Sequence, residues 1–94
     1  MKQIVDRKSV GTSYTEFSFD VKPFAVLVKN FTSGDIFVSL SDEAPAQDSE
    51  AIKIPVNSSQ VCVISIREDF PISFDSVLVK AANAGEVEVQ VVSW

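Results

Sequence analysis

The chemistry-bearing residues of this chain gather in one segment, SDEAPAQDSE, where Asp42, Glu43, Asp48 and Glu50 stand close together. Carboxylate oxygens in a loop are the ligands calcium prefers, six to eight at a time. The helix–loop–helix calcium pattern, however, needs a central glycine and a glutamate twelve positions on. This segment has neither, and Pro45 with two alanines interrupts it. The four acids are therefore weak calcium candidates, and a solvated loop that keeps a sheet edge charged accounts for them better. Paired carboxylates also serve glycoside hydrolysis, but that requires a separation of a few ångströms that sequence spacing does not dictate.

Nucleophilic catalysis finds less support. Cys62 lies between Val61 and Val63, where a free thiol behaves as a small buried hydrophobe. The chain holds no histidine to activate it or any serine. Three glycines, Gly11, Gly34 and Gly85, form no phosphate-cradling loop. The triplets NFT (30–32) and NSS (57–59) fit the glycosylation pattern but read more simply as turns. Among the aromatics, Tyr14, Phe37, Phe70 and Trp94 are those that alternation does not place inside, and a carbohydrate platform would be built from them. The expectation is no enzyme, no cofactor and no metal centre.

Composition bounds the partners. A 94-residue chain is one domain with a thin stability margin of its own. Yet 46% of its residues are hydrophobic and the mean hydropathy is +0.19. That is more apolar surface than so small a domain readily hides. The net charge of −5 and scattered basic residues argue against nucleic acid and anionic membrane. No apolar run approaches the ~20 residues that span a bilayer. The start, MKQIVDRKSVGTSY, lacks an apolar core, so no secretory signal is expected, and a lone cysteine fits folding in a reducing cytoplasm.

The elements that must position these residues are strands. Alternation by two, broken by Gly, Pro, Asn, Asp and Ser clusters, recurs through FSFDV, FAVLVKN, DIFVSLS, AIKIP, QVCVISI, FDSVLVKA and EVEVQVVSW. A weaker strand runs over Ile4–Val10. About eight short strands predict an all-β, single-domain antiparallel β-sandwich spanning 1–94, jelly-roll-like. Several strands are apolar on both faces: Leu27 opposes Val26 and Val28, Ile64 and Ile66 oppose Val61 and Val63, and Leu78 opposes Val77 and Val79. A sheet wetted on one side should be polar there. In EVEVQVVSW the polar side ends in Val92 and Trp94, through either a bulge near Val91 or a dry patch. Leu27, Phe37, Ile64, Ile66, Val92 and Trp94 are accordingly the candidates for contact with sister copies.

Three segments, VKNFTSGDIFVSLSDEAP, IKIPVNSSQVCVI and VLVKAANAGEVEVQVVSW, together resemble small all-β virion proteins of tailed bacteriophages and prophages. The resemblance covers roughly residues 24 to 94. Its members tend to carry a glycine in the turn matched here by Pro55–Ser59. It implies a non-enzymatic structural subunit of head-decoration, head-fibre or tail-accessory type, found in the virion, commonly trimeric, and seated on a capsid or tail protein. The alternative is a carbohydrate- or calcium-binding module using the exposed aromatics or the 42–50 loop.

Overall fold

A computed structural model describes residues 2–21, 23–40, 43–64 and 75–93, apart from the side chains of Val63 and Ile64. Eight strands follow one another: β1 (Lys2–Val10), β2 (Thr15–Ser18), β3 (Pro23–Asn30), β4 (Ile36–Ser39), β5 (Ile52–Ile54), β6 (Ser59–Ile64), β7 (Ser76–Ala81) and β8 (Gly85–Ser93). A single 3-10 turn, Asp48–Glu50, lies between β4 and β5 among the described residues. Sheet A runs β1-β8-β3-β6 and sheet B runs β2-β7-β4-β5. The pairs 1-8, 2-7, 3-6 and 4-5 are those of one long hairpin, first half against second, wrapped into two layers. That is the jelly-roll arrangement, and it bears out the all-β sandwich expected from alternation.

The alternating residues fill the space between the layers. Val10, Val26, Val28, Val87, Val89 and Val91 come from sheet A, and Phe17, Ile36, Val38, Ile54, Val77, Val79 and Ala81 from sheet B. Each large side chain buried here contributes roughly 1.5–3 kcal/mol relative to exposure. Branched side chains suit this role because their restricted rotamers fit the pleated surface at small entropic loss.

Register settles the ambiguity in the last strand. β1 pairs with β8 without interruption from Lys2 opposite Ser93 to Val10 opposite Gly85. No slip occurs near Val91; the irregularity lies across the ladder, in β3 between Pro23 and Ala25. Val92 thus stays on the side of Glu88 and Gln90. A second irregularity corrects the reading of β6. Leu27 pairs with Val61, but Val26 pairs with Val63 and Ala25 with Ile64, leaving Cys62 as the extra residue of a bulge. Strict alternation assigns 61 and 64 to opposite faces. The bulge instead pairs them with Leu27 and Ala25, two residues on one face of β3.

One end of the sandwich is tied by Asn30, only 1% exposed. Its amide donates to the carbonyls of Gly34 (2.8 Å), Ile54 (3.1 Å) and Pro55 (3.1 Å). Its Oδ1 accepts from the Thr32 backbone N–H (2.8 Å) and hydroxyl (2.7 Å). One side chain therefore joins the β3–β4 turn to the β5–β6 turn, and the NFT triplet is structural. In the second turn Asn57 takes φ 58°, a left-handed conformation that asparagine tolerates better than most residues.

The outer strand β1 carries charge on its inward side. Asp6 and Lys8 alternate with Ile4 and Val10 and are only half-buried. They pair at 3.5 Å, and Lys8 also donates to the Glu16 carbonyl (2.8 Å) and lies over the Phe17 ring.

Candidate functional site

The outward face of sheet A can be assembled row by row from the strand register. Arg7, Glu88, Lys29 and Ser59 form one row; Val5, Gln90, Leu27 and Val61 the next; Gln3, Val92 and Ala25 lie in the row beyond, in line with backbone position 64. The first row is ionic and the other two largely apolar. Val5 is 51% exposed and Val61 55%, while Leu27, Ala25 and Val92 are half-buried between them. Hydrophobic side chains thus occupy adjacent positions across all four strands, which scattered surface residues do not.

The ionic row is closed on itself. The Arg7 guanidinium holds Glu88 through Nη2 and through Nε at 3.1 Å, and Gln90 Nε2 donates to the other carboxylate oxygen at 2.7 Å. Lys29 approaches at 3.7 Å. These partners let the Glu88 side chain sit 5% exposed as an anion. The hydrogen bond from Arg7, then that from Gln90, holds its carboxyl below the ordinary value of 4.5. A charge so fully matched is part of the scaffold, with little left over for a ligand.

Glu43, Asp48 and Glu50 of the acidic loop are all exposed, as a solvated loop requires, but the loop is also anchored. Asp48 pairs with Lys80 on the outward face of sheet B. Lys80 in turn lies 5.3 Å from the Tyr14 ring centroid and 5.7 Å from that of Phe37. The 3-10 turn therefore approaches this face from within the chain, and Leu78 in the adjoining row is 9% exposed. Aromatic residues thus accompany the loop. Glu50 accepts the Gln47 backbone N–H at 3.1 Å in a capping box, and Glu43 is exposed, its carbonyl accepting from the Ser39 hydroxyl. Asp48 and Glu50 thus have structural duties. No group of three or more Asp, Glu or Cys side chains is arranged around a metal-sized space among the described residues.

Cys62 packs against the core from the bulge of β6. Burial pushes its thiol up to about 11, so it stays protonated at neutral pH and is no nucleophile. Leu27 and Val92 share the apolar half of sheet A's outer face, whereas Phe37 is half-buried beside Lys80 on sheet B. Asp42, Ile66, Phe70 and Trp94 lie outside the described residues, as does the side chain of Ile64. Val5, Val61 and Phe31 are not singled out by sequence; the first two are marked only by register, as the partners of Gln90 and Leu27.

At the Asn30 end, Lys29, Asn30, Phe31, Asn57, Ser58 and Ser59 line an open groove of about 330 Å³. Phe31 is 53% exposed there. No protein family, curated protein or solved structure matches the chain. No helix among the described residues is long and apolar enough to cross a membrane.

Proposed function

We propose that this protein is a non-enzymatic structural subunit of a phage or prophage particle, of capsid-decoration, head-fibre or tail-accessory type, folding in the host cytoplasm and assembling as a homotrimer. The observation that carries the reading is the contiguous apolar half of sheet A's outer face, with Val5 and Val61 more than half exposed beside Leu27 and Val92. Covering a few hundred Å² of such surface contributes several kcal/mol at ~25 cal/mol per Å², of which ordering on association takes back part. A second copy is the suited partner because the chain meets its own kind at high local concentration on a repetitive lattice, where many weak contacts add. The jelly roll is a frequent architecture of capsid domains, which agrees with the resemblance in the three segments.

Light scattering on the purified chain tests the assembly. A mass of three chains that falls to one in Leu27→Glu or Val61→Glu supports it, and a wild-type monomer at micromolar concentration overturns it. The virion role is tested separately by immunogold labelling of particles purified from the source strain, and unlabelled particles overturn that part alone.

A further inference from the structure

The groove at the Asn30 end has a feature the assembly reading does not use. Phe31 projects while its neighbours on both sides are buried, Asn30 at 1% and Thr32 at 3% exposed. Both neighbours are locked: Asn30 bridges two turns, and the Thr32 hydroxyl, donating to Asn30, also accepts the Gly34 N–H at 3.3 Å. The Phe31 N–H itself donates to the Glu86 carbonyl at 3.1 Å. A further constraint comes from Gly85, where a Cβ would stand 3.0 Å from the Thr32 backbone, so β8 presses directly on this turn. The ring is therefore held outward on pinned backbone. A backbone held in this way adds little ordering loss of its own on binding.

The remaining lining selects the ligand. Asn57 offers an amide, Ser58 and Ser59 offer hydroxyls, and among the described residues no carboxylate lines the groove. Asn30's amide is already committed to three carbonyls, and Lys29 lies within reach of Glu88, so no uncompensated charge faces a ligand. A flat apolar face beside neutral donors and acceptors matches a neutral pyranose, whose C–H face stacks on an aromatic ring while its hydroxyls bond amides and hydroxyls. The volume is at the small end of ligand pockets, enough for one or two sugar rings. We infer that the Phe31–Asn57–Ser59 groove is a binding site for neutral saccharides.

The test uses the full chain, 15N-labelled, titrated with the methyl glycosides of glucose, galactose, mannose and N-acetylglucosamine into the tens of millimolar. Saturable shifts of the Phe31, Asn57, Ser58 and Ser59 amides with at least one of these are expected. Phe31→Ala should weaken that response roughly tenfold and leave the melting temperature unchanged, because the ring is exposed, while Phe31→Trp should preserve it. No saturable shift with any of the four, shifts confined to other residues, or an undiminished response in Phe31→Ala would each overturn the inference. Because the groove reaches only as far as Lys29 and Ser59 of the ionic row and is lined by no residue of the apolar patch, Leu27→Glu should leave sugar binding intact, which keeps this result separate from that of the assembly test.

Discussion

Leu27 on β3 stands opposite Val61 on β6 on the outward side of sheet A, and Val26, one residue before Leu27, is fully buried on the inward side. Adjacent residues of similar chemistry thus serve different ends, one the fold and the other the surface.

Substitution should separate the two. Val26→Ala is expected to lower unfolding stability by about 2–3 kcal/mol through lost burial and a cavity. Val61→Ser should change the stability of the isolated chain by no more than about 0.5 kcal/mol yet weaken association markedly. Urea unfolding of dilute protein, set beside sedimentation at rising concentration, checks both.

Asn30 predicts a different kind of loss. Asn30→Ala leaves the Ile54 carbonyl without its amide donor at a buried site and frees both turns. The expected cost is about 2–4 kcal/mol, above that of a single ordinary hydrogen bond. Asn30→Asp should be at least as damaging, since a carboxylate would face the carbonyls that the amide now serves. Chemical denaturation of the two variants measures this.

The ionic row makes stability depend on acid. The Glu88 carboxyl is held below 4.5 by Arg7 and Gln90, so the folded state binds its proton less readily than the unfolded chain does. Its stabilisation is complete above the unfolded value and disappears as pH falls through the lower folded one. Wild type should therefore melt above Glu88→Gln at about pH 7 and converge with it as the pH falls well below the ordinary value of 4.5. Parallel melting curves across that range would contradict the assignment.

Cys62 should resist thiol reagents in the native state. With its thiol raised to about 11 and packed against the core, it carries almost no thiolate at neutral pH. An aromatic disulfide reagent at about pH 8 should react slowly with native protein and rapidly in denaturant. Fast native labelling would mean that β6 opens readily.

Much of the architecture could be read from alternation, because a branched residue at every second position has one economical arrangement, a half-buried strand. Val87, Val89 and Val91 illustrate this, and all three are buried. What escaped was whatever depends on distant partners. The bulge at Cys62 exists only relative to β3, so nothing within QVCVISI announces that 61 and 64 pair with one face of it. Likewise, Asp48 finds Lys80 far along the chain, a partner that the exposed loop's own sequence does not announce. NFT revealed a turn but not that its asparagine spans to Pro55. Phe31 lay just past the end of an alternating run, where period-two reasoning has nothing to say.

The paired Asp6 and Lys8 beneath the outermost strand have a bearing on how large an assembly can become. A molecule adding its own strand alongside β1 would have to lay greasy side chains over that ion pair, so growth by endless strand addition is blocked there. With that edge guarded, copies that associate as proposed would meet through the broad flank of the sheet, and contacts through a flank can close into a finite cluster instead of running on as a fibre.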